Sequence, residues 1–144
     1  MCRGVVHILK IKIIKFGEFK RPKREHYNDS GADVFSSESV VIPAHGVKAV
    51  PTGVGLVLPD GYDVVIHCKS GLSKKGVFTA NAPIDSGYRG QIYAIMYNTT
   101  DKPYQVEKGQ KIGQFVVRPV IYAQFVDSLG EEREDGAFGS TGDR

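Results

Sequence analysis

Val77-Phe78-Thr79-Ala80-Asn81-Ala82-Pro83-Ile84-Asp85-Ser86-Gly87-Tyr88-Arg89-Gly90-Gln91-Ile92-Tyr93-Ala94-Ile95 places two apolar runs around a polar, glycine-containing centre. Val77–Ala80 and 91–95 read as strands, because β-branched and aromatic side chains pack well on a pleated surface. Ser86-Gly87 supplies the backbone freedom of a hairpin reversal, so the two runs are predicted to pair across a turn. That turn holds a carboxylate, Asp85, and a ring, Tyr88, three residues apart. An Asp-x-Gly turn is by itself a common structural device whose Asp accepts from its own backbone. A chemical role requires partners elsewhere in the chain.

Outward from this centre, short β-prone runs alternate with turn residues. Lys10-Ile11-Lys12-Ile13 alternates with period two. Val40-Val41-Ile42 stops at Pro43-Ala44-His45-Gly46, and Val47 to Leu58 is broken at Pro51 and Gly53. Pro59-Asp60-Gly61 turns into Tyr62 to Cys68, and Ser70 to Lys75 suggests a single helical turn. After the central turn, Asn98 to Pro103 reverses the chain, Gln105-Val106 is short, Lys108-Gly109-Gln110 turns, and Ile112 to Phe125 is the final run. Without a ten-residue amphipathic stretch or an internal repeat, this spacing predicts an all-β sandwich or barrel, one domain over residues 1–127. Residues 128–144 are rich in Gly, Glu and Asp with one ring, Phe138, and are expected to form a flexible arm.

Composition narrows the class. A chain of 144 residues can bury a real core as one domain. Its formal charge of +3 is too small to argue for nucleic acid. The basic cluster Lys20-Arg21-Pro22-Lys23-Arg24 runs into Glu25 and reads as a solvated loop. Cys2 and Cys68 make no disulfide framework, so reduced thiols in a cytoplasmic setting are expected. The apolar stretches of Val5–Lys15 are interrupted by lysines and are too short for a signal-peptide core or a membrane span. His7, His26, His45 and His67 stand singly, without metal-ligand spacing.

Four further stretches share the character of the central turn. Ser30-Gly31-Ala32-Asp33-Val34 places an acid just beyond a glycine. Lys69-Ser70-Gly71-Leu72-Ser73 follows a strand with backbone N–H groups, a hydroxyl and a cation, the chemistry of an anion nest. Gly109 to Phe115 puts the Gln114 amide in an apolar run, and Gly136 to Gly142 combines glycines, hydroxyls and the Phe138 ring. Together they suit a phosphorylated nucleotide: nests and hydroxyls for phosphate, a ring to stack on a base, a carboxylate for a water or sugar hydroxyl. No Walker-type lysine loop, dinucleotide fingerprint or Ser-His-Asp arrangement is apparent.

In this order the five stretches resemble the five motifs of the trimeric dUTPase family: Ser30-Gly31-Ala32-Asp33, Lys69-Ser70-Gly71-Leu72, Ala82-Pro83-Ile84-Asp85-Ser86-Gly87-Tyr88-Arg89-Gly90, Gly109-Gln110-Lys111-Ile112-Gly113-Gln114, and Arg133 through Gly142. The resemblance implies a β jelly roll in a homotrimer with shared active sites. It also implies magnesium-dependent hydrolysis of dUTP to dUMP and pyrophosphate. Asp85 would activate the attacking water and meet the sugar 3′-hydroxyl, while Tyr88 would pack under the deoxyribose and leave no room for a ribose 2′-hydroxyl. Lys69, Ser70, Gly71 and Gln114 would serve the phosphates, and Asp33 would reach magnesium through water. Asn81 would lie at the uracil, and Ile84 would be a further substrate contact. Arg133 would meet the terminal phosphate, and Phe138 with Gly139, Ser140 and Thr141 would close over the nucleotide.

The sequence departs from the family pattern where Lys69 replaces an Arg, where Glu134 and Ala137 replace glycines, and where the lead-in to Asp85 is shorter. Two other readings share the pocket. A dCTP deaminase-type enzyme needs a Glu at the base, and none lies in the central turn. A non-catalytic nucleotide-binding regulator could keep every motif. No nucleic-acid or membrane partner is expected.

Overall fold

The computed structural model describes residues 8–80 and 82–130. Eleven strands and one short helix follow in the order β1 (Lys12–Lys15), β2 (Ala32–Phe35), β3 (Val40–Ile42), β4 (Val47–Pro51), β5 (Val54–Val57), β6 (Tyr62–Cys68), α1 (Ser70–Lys74), β7 (Val77–Thr79), β8 (Pro83–Ile84), β9 (Tyr93–Asn98), β10 (Tyr104–Val106) and β11 (Lys111–Pro119). All ladders are antiparallel. The strands form a four-stranded sheet, β2-β11-β6-β8, a three-stranded sheet, β4-β9-β7, and two two-stranded ladders, β1-β5 and β10-β3. This is the all-β jelly-roll arrangement. Alternation decides which face is inside: along β9, Ala94, Met96 and Asn98 are buried while Tyr93, Ile95 and Tyr97 are exposed. Val34, Val50, Val64, Ile66, Met96, Ile112 and Phe115 meet in one core.

Several predicted elements stand where expected: 40–42, the break in 47–58, 62–68 and the single helical turn after Cys68. Three differ. Residues 32–35 form β2, which the sequence reading passed over because Gly31 and Asp33 dominate so short a run. β11 ends at Pro119 rather than near Phe125, because its partner β6 begins at Tyr62, opposite Pro119. Beyond it Ile121 and Phe125 are 91% and 95% exposed.

The central turn is not a simple hairpin. β7 and β9 do pair, Val77 with Asn98 and Thr79 with Met96. The chain between them leaves for the other sheet, where Ile84 pairs with Val64 and Pro83 with Val65. Gly87 has no left-handed backbone and open space at its Cα, so the reversal does not depend on it.

Candidate functional site

The excursion to β6 presents the Asp85 side of the site. Pro83, Ile84, Asp85, Tyr88, Gln91, Ile92 and Tyr93 line an open cleft of about 310 Å³. Asp85 is exposed and enters no ion pair among the described residues. Its carbonyl accepts from the Tyr88 N–H at 3.1 Å, which closes the turn. Ser86 Oγ donates to Asp60 Oδ1 at 3.2 Å, so the β5–β6 turn steadies the residue after the acid.

Tyr88 is half exposed, and its hydroxyl donates to the Gln91 carbonyl at 2.6 Å. The ring folds back over Gly90, where a Cβ would lie 2.6 Å from the Tyr88 Oη. Gly55 in turn makes room for the loop, since a Cβ there would meet the Gly90 carbonyl oxygen at 2.6 Å. Those two glycines are therefore demanded by close approach.

Asp33, Gln114 and Ser70 gather at a different place. Gln114 on β11 stands between Asp33 on β2 and His67 on β6 in one cross-strand row. The adjacent row, Ala32, Phe115 and Ile66, includes the buried Phe115 and Ile66, so the Asp33–Gln114–His67 row faces outward. Gly31 closes on it: a Cβ there would sit 2.2 Å from Gln114 Oε1. Lys111 Nζ lies 3.4 Å from Asp33 Oδ2. Lys69, Ser70 and Gly71 follow immediately after Cys68, which pairs with Gly113. The Thr79 N–H donates to Cys68 Sγ at 2.9 Å, tying this end of β6 to β7.

One chain keeps the two groups apart. Asp85 follows Ile84, which pairs with Val64, so it stands near the level of Asp63 at the start of β6. Ser70 lies beyond the far end of that strand. At the rise of an extended chain this separation is roughly 20 Å. That span is longer than a triphosphate, so a single chain does not bring the two groups together.

The predicted Asn81, Arg133, Phe138, Gly139, Ser140 and Thr141 lie outside the described residues, as does most of the expected arm 128–144. Gln91 and Tyr93 line the Asp85 cleft, and sequence reasoning missed both. The signal was their position on the strand leaving the turn, which was read as packing alone. A larger cavity, about 580 Å³, lies elsewhere, among Glu18, Phe19, Lys20, Ser36, Ser37 and Lys108. Its cations are engaged: Lys108 pairs with Glu18, which holds the Glu18 carboxyl below its usual range, and Lys20 Nζ donates to the Gly109 carbonyl at 3.0 Å.

No helix among the described residues is long and apolar enough to cross a membrane. Residues 17–142 match the dUTPase family. The deoxyuridine 5′-triphosphate nucleotidohydrolase of Clostridium tetani is 42% identical over 142 residues, covering 94% of this chain and 97% of that protein. That of Crocosphaera subtropica is 43% identical over 141 residues, covering 93% of this chain and 99% of that protein. Among solved structures, a dUTPase variant from phage phi11 of S. aureus superposes with a TM-score of 0.79 at 23% identity, covering 86% of this chain and 99% of that one. It is described as showing the coordination of a structural Mg(II) ion. A Staphylococcus bacteriophage 80alpha dUTPase variant with dUpNHpp gives 0.77 at 25% identity, over 92% of this chain and 98% of that one. With the family match running through all five motif stretches, this chain belongs to the dUTPase family.

Proposed function

We propose that this protein hydrolyses dUTP to dUMP and pyrophosphate, keeping uracil out of DNA and supplying dUMP for thymidylate synthesis. It works as a cytoplasmic homotrimer whose sites are shared between chains. The observation that carries the reading is an exposed Asp85 beside the Tyr88 ring in an open cleft, within a chain of the dUTPase family. Its relatives of about 40% identity carry the dUTP nucleotidohydrolase name.

Asp85 accepts the proton of the attacking water while the water oxygen bonds to the α-phosphorus, and the bond to the bridging oxygen breaks to release pyrophosphate. Tyr88 lies under the deoxyribose, and Ile84 and Asn81 border the uracil. Lys69, Ser70, Gly71 and Gln114 bind phosphate oxygens, largely by placing donors where charge develops. Arg133 meets the terminal phosphate, and Phe138, Gly139, Ser140 and Thr141 cover the nucleotide when the arm folds over it.

The donor set fits magnesium held by the substrate. Among the described residues no three His, Cys, Asp or Glu side chains gather into a cage, and Asp33 is a single carboxylate facing Lys111. A hard cation that keeps its waters suits one carboxylate plus triphosphate oxygens. Magnesium supplies charge neutralisation there.

Two features support assembly. Phe78, Tyr93, Ile95 and Tyr97 leave an apolar outer face on β7 and β9, with Phe78 stacked on Tyr97 at 5.4 Å. Ile121, Tyr122, Phe125 and Val126 extend past β11 without burial. Such a surface suits contact with further copies of the chain. The separation of Asp85 from Ser70 asks for the same.

Asp85→Asn is the direct test. Pyrophosphate release from dUTP is expected to fall by roughly three orders of magnitude while dUTP binding stays near wild type, because the base is lost and little contact surface with it. Wild-type turnover in this variant would remove Asp85 from the mechanism.

A further inference from the structure

Gln91 ties the Tyr88 ring to the body of the sandwich through three groups. Its carbonyl receives the Tyr88 hydroxyl at 2.6 Å. Its Oε1 accepts from the Gly53 N–H at 2.9 Å. Its Nε2 donates to the Tyr93 hydroxyl at 3.2 Å, across the same cleft. The Gly53 anchor is itself fixed: its φ is +76°, and a Cβ there would lie 2.7 Å from the Phe19 Cβ. The next residue is held too. Thr52 donates to the Ile92 carbonyl through its N–H at 3.1 Å and its Oγ at 2.7 Å, and the Ile92 N–H donates to the Val54 carbonyl at 2.8 Å. Thr52 and Ile92 are buried, so this clamp has little room to relax.

The consequence falls on Tyr88. Its hydroxyl is committed to a carbonyl held on one side by the Ile92 N–H bond of the same peptide unit and on the other by the Gln91 side chain's bonds to Gly53 and Tyr93. The ring's other constraint is steric, from Gly90, whose carbonyl Gly55 in turn admits. A ring that must exclude one extra oxygen atom from a sugar needs its plane held to a fraction of an ångström, because a looser wall admits the hydroxyl.

We propose that Gln91, with Tyr93 behind it, is a positioning residue for sugar discrimination. By bridging Gly53 and Tyr93 it holds the carbonyl that anchors Tyr88, and so keeps the ring closed against a ribose 2′-hydroxyl. This rests on the reading that Tyr88 lies under the deoxyribose.

The readout is the ratio of kcat/KM for dUTP to that for UTP, measured with the full-length protein beside each variant's melting temperature. Gln91→Leu keeps the size of the side chain and removes both polar contacts. It lowers the ratio about tenfold, chiefly by improving use of UTP. Gln91→Glu keeps an acceptor for Gly53 and can accept from the Tyr93 hydroxyl, so it holds the ratio within about twofold of wild type. Tyr93→Phe removes the outer contact alone and lowers the ratio about threefold, which decides the matter should Gln91→Leu not fold. A lower melting temperature with an unchanged ratio in Gln91→Leu and Tyr93→Phe means a structural role only, and overturns the proposal. Tyr88→Ala separates the two levels. An unchanged ratio there overturns the sugar reading itself, whereas a fall there with no change in the Gln91 and Tyr93 variants overturns only the role of Gln91.

Discussion

Asp85 and Tyr88 were singled out from their neighbours in sequence, and the structure seats both at one cleft. What the sequence could not convey is how the Tyr88 ring is held, because Gly53, Gly55 and Gly90 act through close approaches that no spacing reveals. A residue-scale prediction follows from Asp29. Its carboxylate accepts from the His26 backbone N–H at 2.8 Å, which holds its pKa below the usual value, with the His26 ring a lesser contributor. A lowered folded-state pKa gives stability that is present above the unfolded value and lost as pH falls through the folded one. Asp29→Asn removes this dependence. The loss of urea stability between pH 7 and about pH 3 should therefore be smaller in the variant than in wild type. Equal losses would mean that the bond survives or re-forms in the unfolded chain.

At the scale of elements, short β-branched runs bounded by turn residues made β3, β6 and the broken 47–57 run legible, even though Asp63–Ile66 and Val54–Leu56 are buried without alternation. β2 and the end of β11 were not legible, since their limits depend on which strand lies beside them. The β9–β10 turn shows how much one buried side chain can organise. Asn98 is 2% exposed, and its Nδ2 donates to the Ile42 carbonyl at 3.1 Å and the Lys102 carbonyl at 2.8 Å. Its Oδ1 accepts from the Thr100 N–H and hydroxyl at 3.0 and 2.8 Å. The sequence shows only the polar start of a turn. Asn98→Ala strands these groups in the interior and should cost about 2–4 kcal/mol in urea denaturation, with the native secondary structure retained. A loss below about 0.5 kcal/mol would show that water satisfies them equally well.

For the whole molecule, the distance along β6 matters most. Asp85 stands at one end and Ser70, Gln114 and Asp33 at the other, so in the proposed trimer each chain would present two half-sites. Mixed trimers test this. Asp85→Asn and Gln114→Ala are each expected to be nearly inactive as pure trimers. When the two are unfolded together and reassembled at equal amounts, about one site in four receives Asp85 from one chain and Gln114 from another, and activity returns to about a quarter of wild type. No recovery, in trimers shown to be mixed, would place both residues in the same chain's site.

The sequence by itself determined the class of the fold and singled out the five stretches proposed to carry the chemistry, with Asp85, Tyr88, Ser70 and Gln114 among them. These are properties of residue type and order: alternation sets which face is buried, and turn residues mark where hydroxyls, amides and acids can be shown to a ligand. Only the tertiary structure decided that Pro83-Ile84 pairs with the second sheet, that Gln91 and Tyr93 share the Asp85 cleft, and that the acid and the Lys69-Ser70-Gly71 stretch stand apart. Each of these follows from pairing between strands distant in the chain, and the partner of a strand is chosen by long-range packing that local pattern does not encode.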